Sequence, residues 1–153
     1  MKQIKLLAIT ALLMLAMTTT SSANDNVRQF GDYTVHYNTL TTDMLPAEVA
    51  SAHGITRSRN RGLLNIAILR DEEHSDEARG EAARARVNAA TITLTGRYRS
   101  VSMQEIMDGD AVYYIGTFPI RDEEVLDFQV NIEPRGTEQS YQLTFRKTFY
   151  VSE

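Results

Sequence analysis

The sequence predicts an all-β fold: an antiparallel β-sandwich, immunoglobulin-like in architecture, of about seven strands with at most one or two short helices. Three observations predict it. Apolar and polar residues alternate with a period of two in several runs, so each run has one dry and one wet face. Two further runs are apolar on both faces, as central, covered strands are. Helical periodicity is scarce throughout. The chain has no Cys and no Trp, so the disulfide and core tryptophan of an antibody domain are missing and only the architecture is implied.

Taken in order, residues 1–23 read as a cleaved secretion signal. Lys2 and Lys5 give a positive start and Leu6–Met17 a 12-residue apolar run; Ser21, Ser22 and Ala23 supply small residues for a signal peptidase. A spanning helix wants about 20 apolar residues, so a retained anchor is the lesser reading. Residues 24–153 are then a single domain, with no transmembrane segment after cleavage.

Within that domain Tyr33, Val35 and Tyr37 alternate with Thr34, His36 and Asn38. Pro46–Ala52 reads as a short helix, with Pro46 at its first position and Gly54 just past its end. Leu63–Leu69 and Ala111–Ile120 are the two-sided apolar strands. Pro119 cannot donate to a ladder and should close the second of them. Asp71–Arg86 has helix-favouring composition but only alanines to bury, with Gly80 in its middle. It is expected to be a long charged loop, at most a frayed helix. Ala90–Leu94 is a weaker strand. Asp108-Gly109 marks a tight turn joining a strand near Arg99–Ile106 to the one from Ala111. Val125–Glu133 puts Leu126, Phe128, Val130 and Ile132 on one face. Tyr141, Leu143, Phe145, Phe149 and Val151 do the same in the last strand, where Lys147 alone breaks the apolar face.

Charge narrows the partners. The formal net charge is −4, and loss of Lys2 and Lys5 makes it two units more negative. Such a domain is soluble and poorly suited to nucleic acid or an anionic membrane. Lys147 is then the only lysine left, the other cations being arginines. Without cysteine, thiolate metal sites and thiol chemistry are excluded.

The residues that invite a functional reading are Arg57, Arg59 and Arg61 in the stretch His53–Arg61. If it is extended, the three guanidinium groups share a side and suit a carboxylate, a phosphate or an acidic protein surface. The plainer reading is a solvated loop whose arginines pair with surplus acids at little energetic consequence. Asn65 is polar within an apolar strand; it is expected to tie neighbouring backbone or a loop in place, with pocket-lining the alternative. Tyr113-Tyr114 puts one ring on each face of its strand, and a core role is expected for them. The acidic runs Asp71–Glu77 and Asp122–Glu124 lack the spacing of a calcium loop, and no metal or other cofactor is expected. His36, His53 and His74 share no ligand spacing, and no nucleophile elbow or glycine-rich phosphate loop occurs. No catalytic residue is assigned, although a site assembled from distant residues remains open to such a chain.

Several segments are familiar as a set: FGDYTVHYN at 30–38, GITRSRNRG at 54–62, GLLNIA at 62–67, AVYYIGTFPI at 111–120 and YQLTFRKTFY at 141–150. Together they resemble a bacterial family of small exported proteins classed as a domain of unknown function. The resemblance spans nearly the whole mature chain and is weakest over 71–83. It implies a sandwich-like domain in the periplasm and brings no activity or catalytic residues. The expectation is therefore a non-catalytic periplasmic binding module, taking a protein partner or a small anionic ligand. A hydrolase-like enzyme and an envelope accessory protein without a ligand are the alternatives.

Overall fold

Alternating side chains become two antiparallel sheets packed face to face. The structure is a computed structural model describing residues 26–71 and 80–151. The secretion signal, its cleavage point, and most of the acidic run after Asp71, His74 included, lie outside the described residues.

The strands are β1 (Val27–Phe30), β2 (Tyr33–Thr41), β3 (Arg61–Arg70), β4 (Glu81–Ala82), β5 (Ala85–Thr93), β6 (Tyr98–Val101), β7 (Gln104–Asp108), β8 (Ala111–Pro119), β9 (Glu124–Pro134) and β10 (Tyr141–Phe149). A 3-10 turn at Thr42–Met44 and one helix, α1 (Ala47–Ala52), sit between β2 and β3. The larger sheet runs β1-β2-β3-β8-β7, with β4 pairing the far end of β3; the smaller runs β10-β9-β5-β6. Ten strands stand where about seven were expected, and the surplus is short pieces of two to four residues.

The expected faces hold. Tyr33, Val35, Tyr37, Leu64, Ile66 and Ile68 of the larger sheet meet Leu126, Phe128, Val130 and Ile132 of the smaller in one core. Phe128 stacks on Phe145 with centroids 4.6 Å apart, and Phe118 meets Phe128 edge-on at 5.2 Å. Such ring pairs add to the hydrophobic term that burial supplies. Lys147 is exposed, as its place on an otherwise apolar face suggests.

Three expectations change. Arg99–Ile106 is not one strand. Its first half is β6 in the smaller sheet and its second is β7 in the larger, the chain crossing between sheets at Ser102-Met103. The hairpin itself forms where Asp108-Gly109 puts it: Asp108 pairs with Ala111, and Gly109 takes φ 57°. The strand expected at Ala90–Leu94 begins five residues earlier, at Ala85, because alanines of small volume still bury Ala85, Ala89 and Ala90 against β9. The charged segment 71–86 is accordingly not loop throughout, since Glu81 and Ala82 pair with Arg70 and Leu69. Pro46 is the residue before α1 rather than its first, with extended ψ of 141°. Gly54, at φ 64°, ends the helix as expected.

Candidate functional site

One end of the sandwich collects the termini of β2, β3, β5, β6, β8 and β9, and with them six of the chain's 13 arginines. Arg57, Arg59 and Arg61 come from the loop before β3, and all three are exposed. The loop is fixed from beneath by Thr42, which is fully buried. The Thr42 hydroxyl donates to the Thr56 carbonyl at 2.9 Å and accepts the Ser58 amide at 2.9 Å.

The alternation that a straight strand would impose on the three arginines is interrupted. The Asn60 amide donates to Ser58 Oγ at 3.2 Å and the Arg61 amide to the Ser58 carbonyl at 3.3 Å, so the chain turns between Arg57 and Arg61. Arg57 donates to the Asp43 carbonyl at 2.7 Å and Arg61 to Thr117 Oγ1 at 3.4 Å. Those bonds leave most of the five donors on each guanidinium free for another acceptor.

A cleft of about 570 Å³ lies beside this loop, with Asn60 as a shared wall. Its other cations are Arg97, Arg99 and Arg121, all exposed. Arg97 comes from the β5–β6 turn, Arg99 from β6, and Arg121 from the connection after β8. Arg97 and Arg99 stand two residues apart, and the topology brings Arg121 to them. The Ile120 amide donates to the Asn60 carbonyl at 3.0 Å, which draws the β8 exit against the arginine loop.

Ion pairs elsewhere on the domain include Arg84–Glu105, Arg135–Glu105, Arg86–Glu133 and Arg146–Asp127. Arg146 donates to Asp127 through two nitrogens at 2.6 and 2.8 Å, which holds the Asp127 carboxyl below the usual carboxylate range. Two acids near the arginine end serve backbone. Asp122 Oδ1 accepts the Val151 amide, and Glu124 Oε2 the Arg121 amide, each at 2.8 Å.

The outer face of the larger sheet carries the remaining features. Leu40, Leu63, Ile115 and Tyr113 floor a groove of about 460 Å³ that α1 walls with Val49. Asn65 lines it, and its Oδ1 is buried without a hydrogen-bond partner among the described residues. The tie to neighbouring backbone expected of Asn65 is therefore not made. Tyr114 is in the core at 3 % exposure, whereas Tyr113 lies on this outer face. His53 lines the same groove and His36 a neighbouring one. Neither makes a side-chain hydrogen bond to another described residue. No group of three His, Cys, Asp or Glu is placed to hold a metal ion among the described residues. No helix among them is long and apolar enough to cross a membrane.

Two antiparallel sheets around one core, with loops gathered at the ends, define an all-β sandwich of immunoglobulin-like architecture. By family, the chain belongs to the domain-of-unknown-function family DUF4426, whose model matches residues 27–152. It is similar to the crystal structure of a DUF4426 family protein (PA0388) of Pseudomonas aeruginosa PAO1. The two are 29% identical with a TM-score of 0.70, covering 83% of this chain and 95% of that one. It shares its fold with FetP of a uropathogenic Escherichia coli strain, expressed in the periplasm of E. coli. There the TM-score is 0.58 at 10% identity, covering 83% and 94%. A copper-bound variant of FetP matches at a TM-score of 0.58 and 9% identity, covering 80% and 93%. No curated protein matches the sequence.

Proposed function

We propose that this protein is a non-catalytic binding module of the bacterial periplasm, exported by the signal at 1–23, whose arginine end docks an anionic partner. The partner it suits best is a protein with an acidic surface, held by Arg57, Arg59 and Arg61. One observation carries this reading: six of 13 arginines gather, all exposed, at one end of an acidic domain. A positive patch on a negative body steers acidic partners and repels other cations. The periplasmic placement is supported by the signal pattern and by the compartment in which the FetP neighbour was expressed.

Affinity capture from periplasmic extract tests the reading. The wild-type protein should retain a partner that elutes as salt rises, since exposed charges are screened over about 10 Å at 0.1 M salt. The Arg57→Ala, Arg59→Ala, Arg61→Ala triple variant should melt like the wild type and lose the partner. Unaltered capture by the triple variant overturns the proposal.

A further inference from the structure

The cleft beside the arginine loop has polar chemistry that the fold itself does not use. Thr91 of β5 pairs in register with Arg99 of β6, and Thr93 with Leu126 of β9. Thr91 is only 4 % exposed, yet it lines the cleft and its hydroxyl makes no hydrogen bond to another described residue. The residue is buried but its hydroxyl oxygen is not, so the hydroxyl is open to a partner in the cleft.

The cations around it are equally unengaged. The guanidinium groups of Arg97, Arg99 and Arg121 make no ion pair or side-chain hydrogen bond to a described residue. Glu124 is the only carboxylate among the lining residues, and one of its oxygens is committed to the Arg121 amide. Three like charges around one mouth repel, and a bound oxyanion would relieve the repulsion while accepting charge-assisted hydrogen bonds. Beside Asn60, Thr93 and Thr95 the lining has an apolar part: Ile120 and Leu126 are 3 % exposed, and Leu94 stands at the rim at 66 %. A volume of about 570 Å³ is within the range of small-molecule sites.

We propose that this cleft binds a small organic anion, its carboxylate on Arg97, Arg99 and Arg121, its apolar body along Leu94, Ile120 and Leu126, and a polar atom on the Thr91 hydroxyl. The inference rests on the reading that this end of the sandwich recognises anions, but it uses side chains other than Arg57, Arg59 and Arg61. The cleft is thus a second site beside the partner-docking loop.

Calorimetric titration with octanoate tests it, with octanamide and inorganic phosphate as probes lacking the charge and the apolar body respectively. Octanoate should bind saturably at one site and weaken with salt, and each control should bind at least about tenfold more weakly, the equivalent of one charge-assisted contact. The Arg97→Gln, Arg99→Gln, Arg121→Gln variant should lose at least about tenfold in octanoate affinity. Thr91→Val should lose a smaller factor. Both variants are checked by thermal melt for an intact fold, and single Arg→Gln changes replace the triple variant if it fails to fold. The Arg57→Ala, Arg59→Ala, Arg61→Ala variant should keep octanoate binding while losing the captured partner, which separates failure of this inference from failure of the docking proposal. Absence of saturable octanoate binding, equal binding of octanamide, or wild-type affinity in the folded arginine variants overturns the site. Phosphate binding as tight as octanoate overturns the apolar part of the ligand. Association with phosphatidylglycerol vesicles in place of free octanoate overturns a soluble ligand in favour of a lipid headgroup.

Discussion

The Tyr114 hydroxyl of β8 accepts the backbone amide of Ala85, the first residue of β5, at 2.7 Å, so that one side chain ties the two sheets together. The same hydroxyl donates to Glu105 Oε2 at 3.0 Å, and Glu105 receives Arg84 at 2.7 Å and Arg135 at 3.5 Å. Tyr114→Phe keeps the ring and leaves the Ala85 amide without its acceptor. The loss should be about 1–3 kcal/mol, as for other buried groups left unsatisfied. Chemical denaturation of the two proteins measures it, and equal stability would mean that water replaces the hydroxyl.

The same residue gives a pH dependence. Burial, helped by the hydrogen bond to Glu105, raises the Tyr114 pKa above its ordinary value. The folded state therefore holds the phenolic proton more tightly than the unfolded chain. Its contribution is complete below the unfolded pKa of about 10 and is lost as pH rises through the folded value. Stability measured from pH 8 upward should fall above about pH 10 more steeply in the wild type than in Tyr114→Phe. Parallel curves would show that Tyr114 makes no such contribution.

Gly116 makes the strand switch between sheets possible. A Cβ there would lie 2.6 Å from Val101 Cγ1, 2.6 Å from Met103 Sδ and 2.8 Å from the Ser102 carbonyl oxygen. These are the residues over which the chain leaves β6 for β7, and the carbonyl cannot rotate aside as a side chain can. Gly116→Ala should cost about 1–3 kcal/mol, in line with other overpacked sites. A thermal melt reads the cost, and a neutral result would mean that the crossing shifts freely.

How much of this was legible depended on whether the signal was local. The strands around Val35, Phe128 and Leu143 were, because a period of two places every second residue on one face without knowledge of the partner strand. The switch at Ser102-Met103 was not, since nothing in Arg99–Ile106 says that its halves belong to different sheets. The start of β5 was hidden by composition: Ala85, Ala89 and Ala90 are buried, but alanine carries little hydrophobic pattern. Arg57, Arg59 and Arg61 could be named from their spacing in sequence. The grouping of Arg121 with Arg97 and Arg99 could not, because the fold alone brings the exit of β8 beside the start of β6. Thr91 gave no sign at all, since only the pairing of β5 with β6 and β9 puts its hydroxyl in a cleft.

The register of β9 can be tested directly. Phe128 is fully buried and touches the rings of Phe118, Phe145 and Phe149, whereas Gln129 is exposed beside Thr144 and Ala90. Phe128→Ala should cost about 3–5 kcal/mol through lost burial and the cavity left behind. Gln129→Ala should stay within about 0.5 kcal/mol. Urea melts of both variants check the pair, and comparable losses would contradict the strand's facing.

Asn65 offers the opposite sign. It pairs across β3 with Asn38 on one side and Ile115 on the other, on an outer face that is apolar at Leu63 and Tyr113. Its Oδ1 is buried with no donor to receive among the described residues, and such an acceptor forfeits about 1–3 kcal/mol of hydration. Valine suits a strand, fills similar space and has no acceptor to desolvate. Asn65→Val should therefore raise stability, by about 1 kcal/mol once the lost amide contacts are allowed for. Asn65→Asp should lower it, because a carboxylate in the same place is harder to desolvate. A Val variant less stable than the wild type would mean that the amide oxygen is satisfied after all, by an ordered water, and that Asn65 does serve to fix the fold.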